Sequence, residues 1–168
     1  MTDCIHNDKI KLGSILVWKG EGFLYEVLSR LIQRIDTPSW DRWGWHMALV
    51  VDYHKSYGWM LAEAMADGVG YGWLKQKSSK WRVVNWCGDV PAIEVRRFAA
   101  DRMGCKYDVM AYIWTALQEI MPWLPRIVNN RYTCWELVYE FCREMGCAVQ
   151  KPHKYPVITD IVKGDAHV

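Results

Sequence analysis

The chain reads as an α+β protein: an antiparallel sheet from its first half, packed on helices from its second. Three observations predict this. Short runs rich in β-branched and aromatic residues occupy the first half. In the second half, apolar residues recur at helical spacing. No repeat, low-complexity tract or linker divides the two, so residues 1–168 form one domain, long enough to bury a core.

The elements follow in order. "SILVWKG" (14–20) alternates and is rich in β-formers, predicting a strand. Phe23, Leu24, Val27, Leu28, Leu31 and Ile35 then mark an amphipathic helix that ends before "DTPSW". "WHMALVVD" (45–52) is a strong strand. "GWMLAEAMADG" (58–68) follows a Gly-containing turn, which favours strand for its first half, and "WRVVNW" (81–86) is another strand. Residues 91–103 read as a helix with Pro91 at its start, where proline is tolerated, and "GCKY" (104–107) breaks it. A second helix runs from Asp108 to Met121 and stops at Pro122; "PWLPRIVNNR" is a loop. In the third, Cys134, Leu137, Val138, Phe141, Cys142 and Met145 share one stripe that closes at Gly146. The tail "KPHKYPVITDIV" is expected to be extended.

Composition narrows the function. The chain is 51% hydrophobic and 24% charged with a net charge of +2, the balance of a globular protein. Its Lys and Arg residues are scattered, which argues against a nucleic-acid groove or an acidic lipid surface. No apolar run reaches the length of a bilayer span, so no stable membrane insertion is expected. The N-terminus "MTDCIHNDKIKLG" lacks the charged head and apolar stretch of a secretory signal, which gives a cytoplasmic expectation. Eleven Trp and nine Tyr are enough to line a cleft as well as a core, with most assigned to packing.

Six cysteines stand at 4, 87, 105, 134, 142 and 147. A domain of this size does not need disulfide staples, and the spacing has no compact framework, so reduced thiols are expected. No CxxC pair occurs and no histidine pair has ligand spacing, so no structural zinc site is expected.

"RYTCWELVYEF" (131–141) singles out one cysteine. Thr133-Cys134-Trp135-Glu136 fits the Ser/Thr-x-x-Glu capping box ahead of an apolar run, with Thr133 as N-cap and Glu136 as third helical residue. Cys134 then opens the helix, where unsatisfied N–H groups and the positive end of the helix dipole favour a thiolate and can stabilise an oxyanion. Cys134 also fits the start of the apolar stripe that Cys142 continues, and on local sequence alone packing is favoured over attack.

A nucleophile needs a base. His6 and His167 lie near the termini, and His54 and His153 among turn residues. His46 opens the strand "HMALVVD", a rigid mount. Glu63, a charge flanked by Leu61, Ala62, Ala64 and Met65, would come alongside His46 if 45–52 and 58–65 pair as a hairpin. That would supply the group that orients the imidazole.

These residues resemble the circularly permuted branch of the NlpC-type papain-like cysteine peptidases, the YaeF/YiiX-like group. The resemblance runs from about residue 13 to residue 162 through "GSILVWKG", "WHMALVVD", "LAEA", "GCKYDV" and "YTCWELV", with His46 ahead of Cys134 as in the permuted branch. It implies a permuted papain-like fold, a small antiparallel sheet or barrel with the cysteine helix against it. It further implies a thiol protease or amidase that works on peptide, isopeptide or cell-wall peptide bonds and calls for no metal or organic cofactor. Cys134 would be the nucleophile, His46 the base and Glu63 the orienting residue. Tyr107, in "GCKYD", matches a tyrosine near the family's site, implying a substrate-contact or oxyanion role.

Two departures stand out. The family often carries small polar residues where this chain has Trp45 and Trp135. These two crowd the cleft or, with Trp40 and Trp43, form an aromatic wall that selects an apolar or flat substrate. Several bacterial relatives would also need a signal peptide, and a phage-encoded enzyme acting in its host cell fits its absence. Two alternatives remain. One is acyl transfer or lipid or thioester hydrolysis of the lecithin:retinol acyltransferase type, which typically uses a second histidine where this chain offers Glu63. The other is a papain-like binding module with an occluded thiol, which would use "PWLPRIVNN" and "SWDRWGW" as contact surfaces.

Overall fold

The computed structural model describes residues 10–18, 46–76, 81–84, 87–121, 123–125 and 129–147. The expected helix at 23–35, the tail and Trp40, Trp43 and Trp45 lie outside these residues. The architecture is α+β. Five antiparallel strands, β1 (Ile15–Trp18), β2 (His46–His54), β3 (Gly58–Met65), β4 (Gly68–Trp73) and β5 (Trp81–Val84), lie in the order β4-β3-β2-β1-β5. Among the described residues no pairing joins β4 to β5, so the strands form an open sheet. The helices are α1 (Ala92–Arg102), α2 (Val109–Ile120) and α3 (Cys134–Glu144). A two-strand parallel pair, β6 (Lys106–Tyr107) and β7 (Arg131–Tyr132), leads into α3. No helix among the described residues is long and apolar enough to cross a membrane.

The uninterrupted apolar run of β2 has a structural reason: both faces of the sheet are buried. Met47, Leu49 and Val51 pack with Ile15, Val17, Ala62 and Ala64 into the main core, which α1 and α3 complete with Val95, Phe98, Leu137, Val138 and Phe141. On the other face Ala48 and Val50 join Ile10, Leu16, Leu61 and Trp81 in a second cluster. Each fully buried Leu, Ile or Phe of these layers stabilises the fold by about 2 kcal/mol. Phe98 and Phe141 meet edge to face, 5.2 Å between centroids, at the contact of α1 with α3. Beside them Arg102 lies 3.7 Å from the Phe98 ring centroid and forms ion pairs with Glu140 and Glu144 of α3.

Three features were not anticipated. Strand β4, "GVGYGW", carries glycine at every second position and so lacks the β-branched signature of its neighbours, yet it pairs along most of β3. β6 and β7 are too short to leave a periodic trace. The third is a correction: Cys87 and Cys147 form a disulfide across 60 residues of sequence, against the expectation of reduced thiols. It joins the segment after β5 to the turn that ends α3, a proximity that only the folded chain creates.

Among the described glycines, Gly68 has the least room for a side chain. Its φ is +120°, and a Cβ there would stand 2.6 Å from the Cys105 carbonyl oxygen. That close approach lets Val69 N–H donate to the same carbonyl at 2.8 Å, and Gly104 N–H to the Val69 carbonyl at 2.9 Å. β4 is thereby fastened to the segment that becomes β6. Gly58, at φ +81°, has nothing within 4 Å of its Cβ position. Gly68→Ala should therefore cost roughly 2 kcal/mol or more, and Gly58→Ala about 1 kcal/mol from backbone strain alone. Urea melts of both variants check the ranking; equal losses would contradict it.

Candidate active site

α3 begins as its sequence predicts. Thr133 is extended, φ −80° and ψ 165°, and caps the helix. Its Oγ1 accepts from the Glu136 N–H at 3.2 Å, while Glu136 Oε2 accepts from the Thr133 N–H at 3.0 Å and from the Thr133 hydroxyl at 3.1 Å. The capping box is complete and buried. It fixes Cys134 as the first helical residue, 1% exposed. Just upstream, Tyr132 sits opposite Tyr107 in the β6–β7 pair, and Asp108 N–H donates to the Tyr132 carbonyl at 3.2 Å. The short parallel pair thus aims the start of α3, which packs against β2 and β3.

His46 opens β2, and the β2–β3 register sets Glu63 diagonal to it on one face of the sheet. Their side chains meet: His46 Nε2 lies 2.8 Å from Glu63 Oε2, with the histidine side chain 16% exposed and the carboxylate 3%. The expected hairpin therefore forms and delivers the carboxylate. The Cys134 side chain hydrogen-bonds the same imidazole. With Nε2 engaged by Glu63, Nδ1 is the ring nitrogen left to face the thiol. Burial pulls His46 toward its neutral form. Hydrogen bonds to Cys134 and Glu63, and the charges of both, outweigh it and raise the pKa from 6.5 to about 9. Farther along α3, burial pushes the Cys142 thiol up to about 12.

Two site neighbours escaped the sequence reading. Trp18 lies opposite His46 in the β1–β2 register and opposite Trp81 in the β1–β5 register. The Trp81 ring meets His46 edge-on at 6.0 Å between centroids and stands 6.5 Å from Trp18. This row braces the imidazole from the side away from Glu63's strand. Only strand register reveals it, since no motif links 18, 46 and 81.

The remaining candidates divide. Tyr107 is half-buried against the main core, one strand away from the residues that lead into Cys134. Trp135 is 6% exposed within that core, which gives it a packing place. Trp45 lies outside the described residues. His54 stands at the opposite end of β2 from His46, against Tyr57 at 4.9 Å and Trp73 at 6.2 Å between ring centroids.

Carboxylate, imidazole and thiol thus form a continuous hydrogen-bonded chain at a helix N-terminus. Such a chain can hold a proton on the imidazole, keep sulfur nucleophilic and offer backbone donors to a developing oxyanion.

No protein-family model matches this chain. No curated protein matches its sequence either.

A raised histidine pKa carries a sign. The stabilisation from charged His46 is fully present below its unfolded pKa of 6.5 and is lost as pH rises through about 9. Glu63→Gln removes one of the charges that hold the proton, so it should lower the His46 pKa and flatten that loss. NMR titration of the His46 ring, with urea midpoints across the same pH window, checks both. An unchanged ring titration in Glu63→Gln would contradict the assignment.

Proposed function

We propose that the chain is a cysteine hydrolase of the permuted papain-like, NlpC-type class, cleaving an amide in a peptide, isopeptide or cell-wall peptide through Cys134, His46 and Glu63. The observation that carries this reading is the single imidazole bonded to Glu63 on Nε2 and to the Cys134 thiol. The order of His46 before Cys134 and the antiparallel sheet packed on helices support the permuted fold.

In the proposed cycle the Cys134 sulfur attacks the amide carbonyl carbon while its proton rests on His46. N–H groups of the first turn of α3 hold the oxyanion, with Tyr107 as a further substrate or oxyanion contact. The C–N bond breaks as His46 gives its proton to the leaving amine, which leaves a thioester on Cys134. His46 then takes a proton from water, whose oxygen attacks the thioester; the acid departs and the thiol is restored. A histidine pKa near 9 supports this role, because the imidazole keeps its proton at neutral pH until the leaving group needs it.

A carboxylate in the orienting position supports amide hydrolysis over acyl transfer of the lecithin:retinol acyltransferase type. One observation favours the binding-module reading: Cys134 is 1% exposed, so a substrate must reach a covered sulfur.

Turnover discriminates these readings. On a fluorogenic peptide amide the wild type should be active, and Cys134→Ala and His46→Ala should each lose roughly a thousandfold or more in kcat/KM. Full activity in both variants would overturn the mechanism. Cleavage of a thioester or phospholipid with no amide turnover would move the assignment to acyl transfer.

A further inference from the structure

The end of α3 opposite Cys134 gathers three sulfurs. Cys142 lies in the last turns of α3 and is fully buried. Beyond the helix, Gly146 adopts φ +70° and turns the chain back, so that Cys147 N–H donates to the Cys142 carbonyl at 2.9 Å. Cys87 arrives from the segment after β5. The Sγ atoms of Cys87, Cys142 and Cys147 all lie within 4.8 Å of one another. A disulfide uses two of them, and the third adjoins both.

We propose that the reduced chain holds a thiophilic d10 cation, Zn²⁺ or Cu⁺, on Cys87, Cys142 and Cys147, and that the Cys87–Cys147 disulfide is the oxidised, metal-free form of the same site. Thiolates bound at about 2.3 Å from one ion stand roughly 3.7 to 4 Å apart, a span this cluster reaches with small side-chain shifts. The Cα atoms of Cys87 and Cys147 are 4.8 Å apart, close enough for either a shared bond or a shared ion. Three sulfur ligands select a soft cation over Mg²⁺ or Ca²⁺ and leave a fourth position for water or a small thiol. Cys87 and Cys147 are half-buried, giving an ion a route in.

The exchange balances. Two molecules of a small thiol reduce the Cys87–Cys147 bond and become one small disulfide. The cation then displaces the thiol protons of the three cysteines. In reverse, a small disulfide takes two electrons from Cys87 and Cys147 as they join and two protons from solvent, leaving as two small thiols, while Cys142 regains a proton and the ion leaves. The spacing of the three residues has no ligand motif because α3 and the segment after β5 meet only in the fold.

The test uses the full chain, reduced with a phosphine without oxygen and freed of reductant. It is then equilibrated with chelator-buffered Zn²⁺ or Cu⁺, and bound metal is counted by plasma mass spectrometry. About one equivalent is expected on the reduced wild type and on Cys105→Ser, and none on the oxidised chain. Cys142→Ser, its fold checked by circular dichroism, should bind at least about tenfold more weakly. X-ray absorption on the loaded wild type should report three sulfurs, which decides the matter even if Cys142→Ser fails to fold. The proposal is overturned by a reduced wild type that takes up no stoichiometric metal, by unchanged affinity in folded Cys142→Ser, or by fewer than three sulfur ligands.

Discussion

A carboxylate buried to 3% exposure beside a histidine constrains most of what surrounds it. An uncompensated charge at such a depth costs several kcal/mol, so Glu63 must keep its cationic partner within hydrogen-bond reach. That requirement fixes the β2–β3 register, because a one-residue slip would turn Glu63 to the opposite face and drive it among Met47, Leu49 and the helices. The register irregularity between Val50 and Asp52 falls beyond this pair, toward the exposed hairpin end, where it leaves the pairing intact. In turn the pair fixes the imidazole: with Nε2 bound to Glu63, the ring has one nitrogen left for the thiol.

α3 answers this constraint from the other side. Its N-terminus is set by a buried capping box and by the β6–β7 pair, which β4 anchors through the close approach at Gly68. Its far half is tied to α1 by Arg102 against Phe98, Glu140 and Glu144, and its end to the segment after β5 through Cys87 and Cys147. A helix held at both ends has little freedom to slide. The thiol at its first residue meets the histidine from this fixed position. The Trp81 ring, itself against Trp18, meets His46 edge-on, so the imidazole is flanked by side chains from β3 and β5.

Where the sequence was legible, local chemistry and tertiary packing agree. The capping box Thr133–Glu136 and the apolar stripe behind Cys134 announce α3, and the run Met47 to Val51 announces β2. Glu63 was legible for the opposite reason, as a charge set among apolar residues. Strand β4 was hidden because Gly68, Gly70 and Gly72 carry no side-chain preference; its structure comes from pairing with β3. The Trp row and the three-sulfur cluster were hidden because they arise from register and from contacts across long stretches of chain. The expectation of reduced thiols failed at Cys87 and Cys147 for that reason.

If Cys134 and His46 act as one unit, the pH profile of Cys134 alkylation must depend on His46. Iodoacetamide rates, assigned to each cysteine by mass spectrometry, should be compared between wild type and His46→Ala. Cys134 should react far faster than Cys105 and Cys142 at neutral and mildly acid pH, and His46→Ala should abolish the advantage. A Cys134 that reacts as slowly as a buried thiol in both proteins would contradict it and leave the papain-like binding module in its place.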